Sequence, residues 1–352
     1  MQESRIKGRG AQNDLPNRFA KEHREPFFED VYEADVDNPV RTKFFEVYPK
    51  TIINKVPNSD VPMDFSINPY QGCEHGCSYC YARPTHEYWG YGPGLDFETN
   101  ILVKKNAPDL LRTAFEKKQW QSSGIMLSGN TDCYQPIERR MGITRSLLKV
   151  FAEYRNPVSI ITKNSLVLRD IDLLIDLNRD NLVHVVVSLN TLNDSTRQLL
   201  EPRASAVTQR LKTIRELSNA GIPVSVLVAP IIPGLTDHEI IPLVETLAGN
   251  GAREVSHIIA RLNGPVEPIF TEWLERSMPN KKDKILNAIA DCHGGTVSDH
   301  RSHVRMKGEG KRALAIRDTM TLAKQKYLSG QKMPAFNLGA FKRPPKGQLG
   351  LF

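Results

Sequence analysis

Short apolar runs that alternate with amphipathic segments constrain the fold of this chain more than any other sequence feature. Five such runs are rich in β-branched residues and bounded by polar or turn residues, which is typical of buried parallel strands. They cover residues 124–128, 158–162, 182–189, 224–229 and 254–260. The segments between them carry helical periodicity, and residues 66–70 supply a first strand. About six strand–helix units result, which predicts an α/β fold built as a partial (β/α)6 TIM-like barrel with right-handed crossovers.

Composition divides the 352 residues into four parts. Charged residues mix with Pro, Gly and Asn over 1–63, which predicts an N-terminal arm that is partly irregular. The alternating pattern of the partial barrel occupies residues 64–300. A basic C-terminal helical extension is predicted over 301–340, with a helix at 313–327. The remaining residues, 341–352, form a tail in which Lys and Pro precede an apolar end.

The charge and hydropathy of the chain limit its partners. It carries 47 Lys and Arg against 40 Asp and Glu, a formal net charge of +7, which is compatible with a nucleic-acid partner. Mean hydropathy is −0.39, and no apolar run reaches the roughly 20 residues that span a bilayer. The first residues lack the apolar core of a signal peptide. We therefore expect a cytoplasmic protein with no membrane partner.

Three of the five cysteines lie close together, a poor disulfide framework and a good metal site. Cys73, Cys77 and Cys80 have the spacing C-x3-C-x2-C directly after the first predicted strand. Three thiolates on a tight loop can hold three corners of a [4Fe–4S] cluster and leave one iron open. The alternative is structural zinc with His75 as the fourth ligand. Because His75 lies between two of the cysteines, simultaneous tetrahedral ligation is awkward, and the cluster is favoured.

Further motifs follow the predicted strands in order, and Tyr79 places an aromatic residue inside the cysteine loop. They are SGNTDCYQPIE at 128–138, ITKN at 161–164, SLNT at 188–191, EPR at 201–203 and APIIPGLTD at 229–237. With these motifs the sequence resembles the radical S-adenosylmethionine (SAM) superfamily. Within it, residues 67–260 resemble the spore photoproduct lyase-like branch, also called DNA repair photolyase-like.

This resemblance implies the cofactors, the chemistry and a set of SAM contacts. SAM chelates the open iron of the [4Fe–4S] cluster, and an electron from an external reducing donor cleaves it to methionine and a 5′-deoxyadenosyl radical. That radical takes a hydrogen atom from the substrate. The resemblance also implies that Thr131 and Asp132 bind the SAM ammonium, Arg203 its carboxylate, Ser188 and Asn190 its ribose or carboxylate, and Tyr79 its adenine.

Several further side chains keep two interpretations. Cys133 is the candidate catalytic residue, a donor of hydrogen atoms, or else a small buried hydrophobe. The branch has a cysteine before the acidic residue of this loop, whereas Cys133 follows Asp132. Lys163 is a SAM or substrate contact or an ordinary surface lysine. The cluster of His293, His300 and His303 with Asp299 is a substrate loop, a second metal site or a polar surface loop.

Three functions remain open from the sequence. The first is a radical SAM enzyme acting on DNA in repair, which the branch and the basic surplus favour. The second is a radical SAM enzyme that modifies a protein, an RNA or a small metabolite at the same site. The third is an iron–sulfur module without enzymatic activity, against which the motifs at successive strand ends argue.

The last five residues, QLGLF, resemble the pentapeptide by which bacterial replication and repair proteins bind the sliding clamp. Gln348, Leu349, Leu351 and Phe352 match its glutamine, its leucine and its terminal apolar pair. The resemblance implies that these apolar anchors fill a pocket of the clamp. Residues 342–346 would then hold the motif away from the barrel. The alternative is that the last two residues pack on the protein's own core.

Overall fold

Ten strands form two sheets in the computed structural model, which describes residues 6–19, 40–56, 60 and 63–345. In chain order the strands are β1 (Lys43–Val47), β2 (Ile53–Lys55), β3 (Phe65–Ile67), β4 (Tyr70–Gln71), β5 (Asn100–Lys104), β6 (Ile125–Leu127), β7 (Val158–Thr162), β8 (Val183–Ser188), β9 (Val224–Ile231) and β10 (Glu254–Ile259). The large sheet has the order β10-β9-β8-β7-β6-β3-β2, and the small one the order β1-β5-β4.

The large sheet is parallel and open. Its strands from β3 to β10 pair in parallel, and β2 pairs antiparallel with β3 at the outer edge. Among the described strands β10 and β2 are its two edges, so the sheet does not close on itself. Six parallel strands in an open sheet confirm the predicted α/β fold class, with a partial rather than a closed barrel.

Helices follow most strands and cover the sheet. They are α1 (Asp96–Thr99), α2 (Ala107–Glu116), α3 (Glu138–Met141), α4 (Ile143–Tyr154), α5 (Ile171–Asn178), α6 (Asp194–Leu200), α7 (Val207–Asn219), α8 (Ile240–Gly249), α9 (Val266–Ser277), α10 (Lys282–Ala290) and α11 (Gly310–Tyr327). Side chains such as Val185, Val226 and Leu217 are fully buried between the sheet and these helices. None of the helices in the described ranges combines the length and the apolar character that crossing a membrane requires.

The predicted first strand at residues 66–70 is instead two short strands in different sheets. β3 belongs to the large sheet and β4 pairs antiparallel with β5. Pro69 lies between them, and it has no N–H to continue a ladder, although its carbonyl accepts from Lys104 N at 3.1 Å. The chain therefore changes sheets just before the cysteines, which places the cysteine loop at the edge between the two sheets.

The beginning of the C-terminal tail packs on the domain. The Phe341 ring centroid lies 5.9 Å from that of Phe115. Lys342 N donates to Tyr154 O at 3.0 Å, and Arg343 Nε donates to Phe115 O at 2.9 Å. The first two residues of the Lys- and Pro-rich spacer therefore pack on the barrel, and the expectation that the spacer holds the terminal motif away from it stays a prediction. The clamp-like residues 348–352 lie outside the described residues, and the four-part division of the chain stays a prediction.

Candidate metal centre and cofactor site

The cysteine loop, residues 72–81, leaves β4 through glycines that no other residue replaces easily. Gly72 and Gly76 have φ of +78° and +66°, in the left-handed region that favours glycine. A Cβ on Gly76 would lie 2.9 Å from Glu98 Oε2 and 3.2 Å from Gly10 N. The loop therefore turns tightly against α1 and against the N-terminal segment, residues 6–19.

Hydrogen bonds from separate parts of the chain hold the backbone of the cysteine loop. Cys73 N donates to Phe97 O at 2.8 Å, Ser78 N donates to Leu200 O at 3.0 Å, and His75 O accepts from Arg203 N at 3.2 Å. The Gln135 side chain bridges the loop as well. Its amide donates to Gly72 O at 3.0 Å, and its oxygen accepts from Glu74 N at 2.9 Å. The cysteines are thus positioned by fixed backbone rather than by a free loop.

A buried ion pair supports the loop from the side of the N-terminal segment. Arg83 and Glu98 are both fully buried, and Arg83 Nη2 donates to Glu98 Oε1 and, at 2.9 Å, to Cys77 O. The same carboxylate accepts from Gly10 N at 3.0 Å and from Ala11 N at 2.9 Å. Arg9 Nη1 adds a bond to Glu98 O at 2.7 Å. The predicted N-terminal arm therefore includes a segment that is bonded to the cysteine loop through Glu98.

The three thiols suit a metal cluster. Cys73 and Cys77 are buried and Cys80 is partly exposed. Burial raises the pKa of Cys73 to about 12 and that of Cys77 well above its usual value. Without a compensating positive charge these thiols stay protonated, whereas iron ligation stabilises the thiolates.

Buried polar atoms without a hydrogen-bond partner gather around the loop. Within the described part of the chain, Glu74 Oε2, His75 Nε2, Ser78 Oγ and Asn190 Oδ1 belong to this set. Native proteins leave few such groups unpaired, and each calls for an explanation such as a ligand. A cluster and SAM bound at the loop would supply partners of the required polarity, so these residues fit the cofactors that the sequence implies.

The zinc alternative is not supported by the geometry. In the ranges that the structure describes, no three or more His, Cys, Asp or Glu side chains are arranged to hold a single metal ion. His75 Nδ1 lies 3.4 Å from Asp132 Oδ2, and burial lowers the pKa of His75 to about 4 despite this carboxylate. His75 is therefore a neutral neighbour of Asp132 rather than a fourth metal ligand beside the cysteines.

Asp132 ties the ends of two strands together. Its Oδ1 accepts from Tyr134 N and Thr162 Oγ1, each at 2.8 Å, and its Oδ2 accepts from Lys163 N at 2.7 Å. Thr131 Oγ1 donates to Tyr70 O at 3.1 Å. The structure brings both residues beside the cysteine loop. Much of their hydrogen-bonding capacity is committed to the protein itself, and their contact with the SAM ammonium stays a prediction.

Arg203 lies on the outer side of the cysteine loop. Its Nη2 is 3.3 Å from Glu74 Oε1, and its Nη1 is 3.5 Å from Thr42 Oγ1. The aliphatic part of Arg203 lies beside Gly8, since a Cβ on Gly8 would be 3.9 Å from Arg203 Cγ. The predicted SAM-carboxylate contact of Arg203 therefore competes with an ion pair to Glu74 beside the N-terminal segment.

Lys163, at the end of β7, is the cation next to Tyr79. Its Nζ lies 6.0 Å from the centroid of the Tyr79 ring. Burial lowers the pKa of Lys163, but the negative charges of Cys77 and Glu201 outweigh burial and raise it. The ITKN motif identified this position, although the sequence left its role open. The structure places it where a carboxylate bound beside the cluster would find a positive charge.

Tyr79, Ser188 and Asn190 meet at the end of β8. Asn190 Nδ2 lies 3.4 Å from the Tyr79 hydroxyl, which donates to Glu201 Oε1. Ser188 O accepts from Arg210 Nη1 at 2.9 Å. Sequence reasoning missed Arg210, because an arginine on the amphipathic α7 carries no motif of its own.

Cys133 is fully buried in the main hydrophobic cluster of the sheet. Its Sγ lies 3.9 Å from Leu127 O, and its N donates to Ser128 Oγ at 3.0 Å. Burial raises the pKa of this thiol well above its usual value. These contacts favour the alternative that Cys133 is a buried packing residue, and its role as a hydrogen-atom donor stays a prediction.

The histidine-rich loop divides into a buried and an exposed part. His293 is buried, with Nδ1 3.1 Å from Asp299 Oδ2 and Nε2 3.0 Å from Ala260 O. Arg301 donates to the same Asp299 carboxylate through Nη2 at 2.9 Å. His300 and His303 are exposed. The loop is thus held by the His293–Asp299 pair, and the second metal site is not supported among the described residues.

Comparison with known proteins identifies the family. Residues 67–247 match the model of the radical SAM superfamily, and the chain belongs to that superfamily. An uncharacterised protein of Mycobacterium tuberculosis is 36% identical over 239 residues, which are 67% of this chain and 70% of the relative. A second one, from Methanocaldococcus jannaschii, is 30% identical over 227 residues, 64% of this chain and 81% of the relative.

Two further similarities have descriptive names. A Pseudomonas phage M6 protein named radical SAM Nalpha-GlyT isomerase is 33% identical over 190 residues, 53% of this chain and 37% of that protein. The structure of a spore photoproduct lyase variant with bound AdoMet and dinucleoside spore photoproduct superposes with a TM-score of 0.59 at 17% identity. That superposition covers 81% of this chain and 79% of the lyase, and at this identity it establishes the fold.

Family and fold together confirm the resemblance found in the sequence. The chain is a radical SAM enzyme, and its cofactors are a [4Fe–4S] cluster and SAM. The non-enzymatic alternative is therefore set aside.

Proposed function

We propose that this radical SAM enzyme acts on DNA, in the repair of a damaged or modified base. Cys73, Cys77 and Cys80 would hold the cluster, with Lys163 and Asn190 beside the SAM that binds it. When bound, cluster and SAM supply a carbon radical that removes a hydrogen atom from the substrate, after reduction by an external one-electron donor. The chain's own part is to bind, orient and shield the substrate at the carboxyl ends of the strands.

The observation that carries this proposal is a set of exposed aromatic rings at these strand ends with buried or partly buried cations beside them, here called the basic aromatic strip. It begins at Tyr81, which directly follows the last cluster cysteine. Tyr81 is 63% exposed, while its hydroxyl donates to Gly129 O. Lys163 and Arg261 lie near enough to its phenol to act on it electrostatically.

The strip continues towards β3 and β5. Lys104 Nζ donates to Asn68 O at 2.9 Å and lies 5.8 Å from the ring centroid of Trp89, which is 39% exposed. Asn68 Oδ1 in turn accepts from Asn130 N at 2.9 Å, next to Gly129. Burial lowers the pKa of Lys104 to about 8, so it remains mainly charged at neutral pH. Exposed rings that stack on bases, interleaved with cations that meet phosphates, are typical of nucleic-acid binding.

One of the similar structures supports the same substrate class. The spore photoproduct lyase structure has bound AdoMet and a dinucleoside spore photoproduct. Because this chain shares the fold and places the strip at the same edge as its cysteine loop, DNA is the substrate that we propose. A protein, RNA or small-metabolite substrate is the alternative that the following experiment distinguishes.

The test uses the full-length chain, reconstituted anaerobically and checked for iron and sulfide. Binding to single- and double-stranded oligonucleotides is measured across a salt series. We expect affinity to fall steeply with salt, because each phosphate contact releases counterions. Arg261→Ala should lower the salt slope by about one unit, and Trp89→Ala should weaken binding with little change in slope. Lys212→Ala, an exposed lysine on α7, is the control and should change neither.

Products decide the reaction. Reduced enzyme and SAM are incubated with irradiated DNA, with RNA and with cell protein, and each is examined by mass spectrometry. A changed nucleoside in DNA supports the proposal. Salt-independent binding, together with a changed protein or RNA and unchanged DNA, would contradict it.

The sliding clamp is a finer proposal about delivery to duplex DNA. It rests on Gln348, Leu349, Leu351 and Phe352, and none of the similar proteins above is described as a clamp-binding protein. Purified clamp should bind the full chain and not a chain that lacks residues 348–352. Equal binding of both chains, or of neither, would remove the clamp from the proposal and leave the active-site proposal standing.

A further inference from the structure

A buried carboxylate and a buried guanidinium lie directly behind the ring of Tyr79. Glu201 is fully buried and Arg210 is 1% exposed. Glu201 Oε1 accepts the Tyr79 hydroxyl, and Glu201 Oε2 pairs with Arg210 Nη2. Burial raises the pKa of Glu201, but Arg210 and Lys163 outweigh burial and lower it. The carboxylate is therefore ionised and accepts on both oxygens.

Arg210 fixes this carboxylate to the barrel. Its Nη1 donates to Ser188 O at the end of β8, and its Nε donates to Ser205 O before α7, each at 2.9 Å. A guanidinium bound to two backbone carbonyls and a carboxylate has little freedom to move. The position of the Tyr79 hydroxyl is thus set by β8 and α7, which are parts of the rigid barrel, and not by the cysteine loop alone.

Two further polar side chains, Asn190 and Lys163, lie next to Tyr79. Asn190 Nδ2 is 3.4 Å from the Tyr79 hydroxyl, while Asn190 Oδ1 is buried and has no hydrogen-bond partner in the described ranges. Lys163 Nζ lies 6.0 Å from the ring centroid. A small ligand that carries both donors and a carboxylate would satisfy the amide oxygen and the ammonium together.

We propose that Glu201, held by Arg210, is a positioning residue that sets the orientation of Tyr79 as one wall of the SAM site. This inference rests on the SAM-binding part of the proposed function and does not depend on DNA as the substrate. Within the EPR motif, the residue that shapes the SAM site is then Glu201. Arg203 instead lies next to the N-terminal segment. No contact of Glu201 with SAM is required, because it acts through the tyrosine.

The experiment measures the dissociation constant of SAM for the reconstituted full-length chain by equilibrium dialysis, without DNA. Glu201→Gln replaces the charged carboxylate by a neutral amide with one oxygen for the two donors Tyr79 and Arg210, and Tyr79→Phe removes the hydroxyl donor. Each should weaken SAM binding about tenfold, the scale of a bond to a charged group. The double variant should be no weaker than about tenfold, because both changes break the same interaction. Cluster iron should be unchanged in all three.

Glu116→Gln is the matched control. Tyr154 OH donates to Glu116 Oε1 at 2.8 Å, a tyrosine–glutamate bond far along the chain from the cysteine loop. This variant should bind SAM like the original chain. A similar loss in Glu116→Gln would attribute the effect to general destabilisation and overturn the inference.

Tyr79→Ala separates this inference from the site on which it rests. If Tyr79→Ala weakens SAM binding and Glu201→Gln does not, the ring lines the site but Glu201 does not position it, and the inference fails alone. Unchanged affinity in Tyr79→Ala as well would show that the proposed SAM site itself is misplaced. Additive losses in the double variant also contradict the inference. Where Glu201→Gln does not retain its cluster, the comparison of Tyr79→Phe with the control decides.

Discussion

Replacing Glu98 with glutamine tests whether the buried ion pair at the N-terminal segment supports the cysteine loop. The carboxylate accepts from Arg83 and Ala11 on Oε1 and from Gly10 on Oε2. Glutamine keeps one oxygen for Arg83 and Ala11. Its amide, however, faces the N–H of Gly10 as a second donor. The substitution therefore removes the charge that neutralises Arg83 and loses at least one hydrogen bond.

The expected cost follows from burial. Both side chains of the pair are inaccessible to solvent, so Arg83 would be left as an uncompensated buried charge. Breaking such a pair typically costs about 3–5 kcal/mol. Because Arg83 Nη2 also donates to Cys77 O at 2.9 Å, we expect the loop to loosen before the rest of the domain. The cluster should then be released at a lower urea concentration than the one that unfolds the barrel.

The assay is an anaerobic urea titration in which the visible absorbance of the cluster and the far-ultraviolet circular dichroism are followed together. Glu153→Gln is the control, since Glu153 pairs with Arg112 at 3.0 Å with both side chains more than one-third exposed. Exposed pairs contribute about 0–1 kcal/mol. If Glu98→Gln is no more destabilising than Glu153→Gln, and cluster loss coincides with unfolding in both, the supporting role of the ion pair is refuted.

Three further outcomes are expected. Lys163→Ala should weaken SAM binding about tenfold, the scale of a lost charge-assisted bond. The loss should exceed that in Arg203→Ala, because Arg203 already pairs with the carboxylate of Glu74; equal losses in dialysis would restore the motif-based assignment. Cys133→Ala should leave SAM cleavage and its products unchanged if the buried thiol only packs, whereas altered substrate products in mass spectra would establish the hydrogen-atom donor. Burial lowers the pKa of His257 to about 4, below the usual value of about 6.5. The unfolded state therefore binds the proton first, and stability should fall as pH is lowered between these values, with a smaller fall in His257→Gln denaturation curves.

The parallel strands were predictable because the inner ones, such as β7, are largely covered on both faces. Continuous β-branched runs distinguish such strands from amphipathic helices, and β7 lies where its run predicted. The small sheet was not predictable in the same way. β1 and β5 are separated by more than fifty residues of sequence and pair through their backbones, and β4 is too short to show a period. Pairing of this kind depends on tertiary contacts that a sequence window does not contain.

In the candidate site, too, local sequence features were predictable and features that depend on tertiary contacts were not. The cysteines were predicted from their local spacing, and Asp132 and Asn190 from motifs that follow recognisable strands and resemble those of the superfamily. The direction of the Arg203 side chain was not available from its motif. It depends on Glu74 and on Thr42, which precedes it by 161 positions. Residue type at a strand end thus predicts proximity to the site, but not which way a long side chain turns.

Several motif residues form hydrogen bonds that hold the backbone of the strand ends in place. Asp132 joins the ends of β6 and β7, and Asn164 Oδ1 caps the turn that follows β7 by accepting from Leu166 N at 3.0 Å. Strand ends that carry a radical reaction have to hold their spacing without a covalent brace, and buried polar side chains bonded to several backbone groups do this. The side chains that face SAM and the cluster should accordingly be those whose buried polar atoms lack a partner in the described chain, such as His75 Nε2 and Asn190 Oδ1. On this reasoning Asn190→Asp, which replaces the donor to Tyr79 and adds a charge beside the open acceptor, should disturb SAM binding more than a change at Asn164.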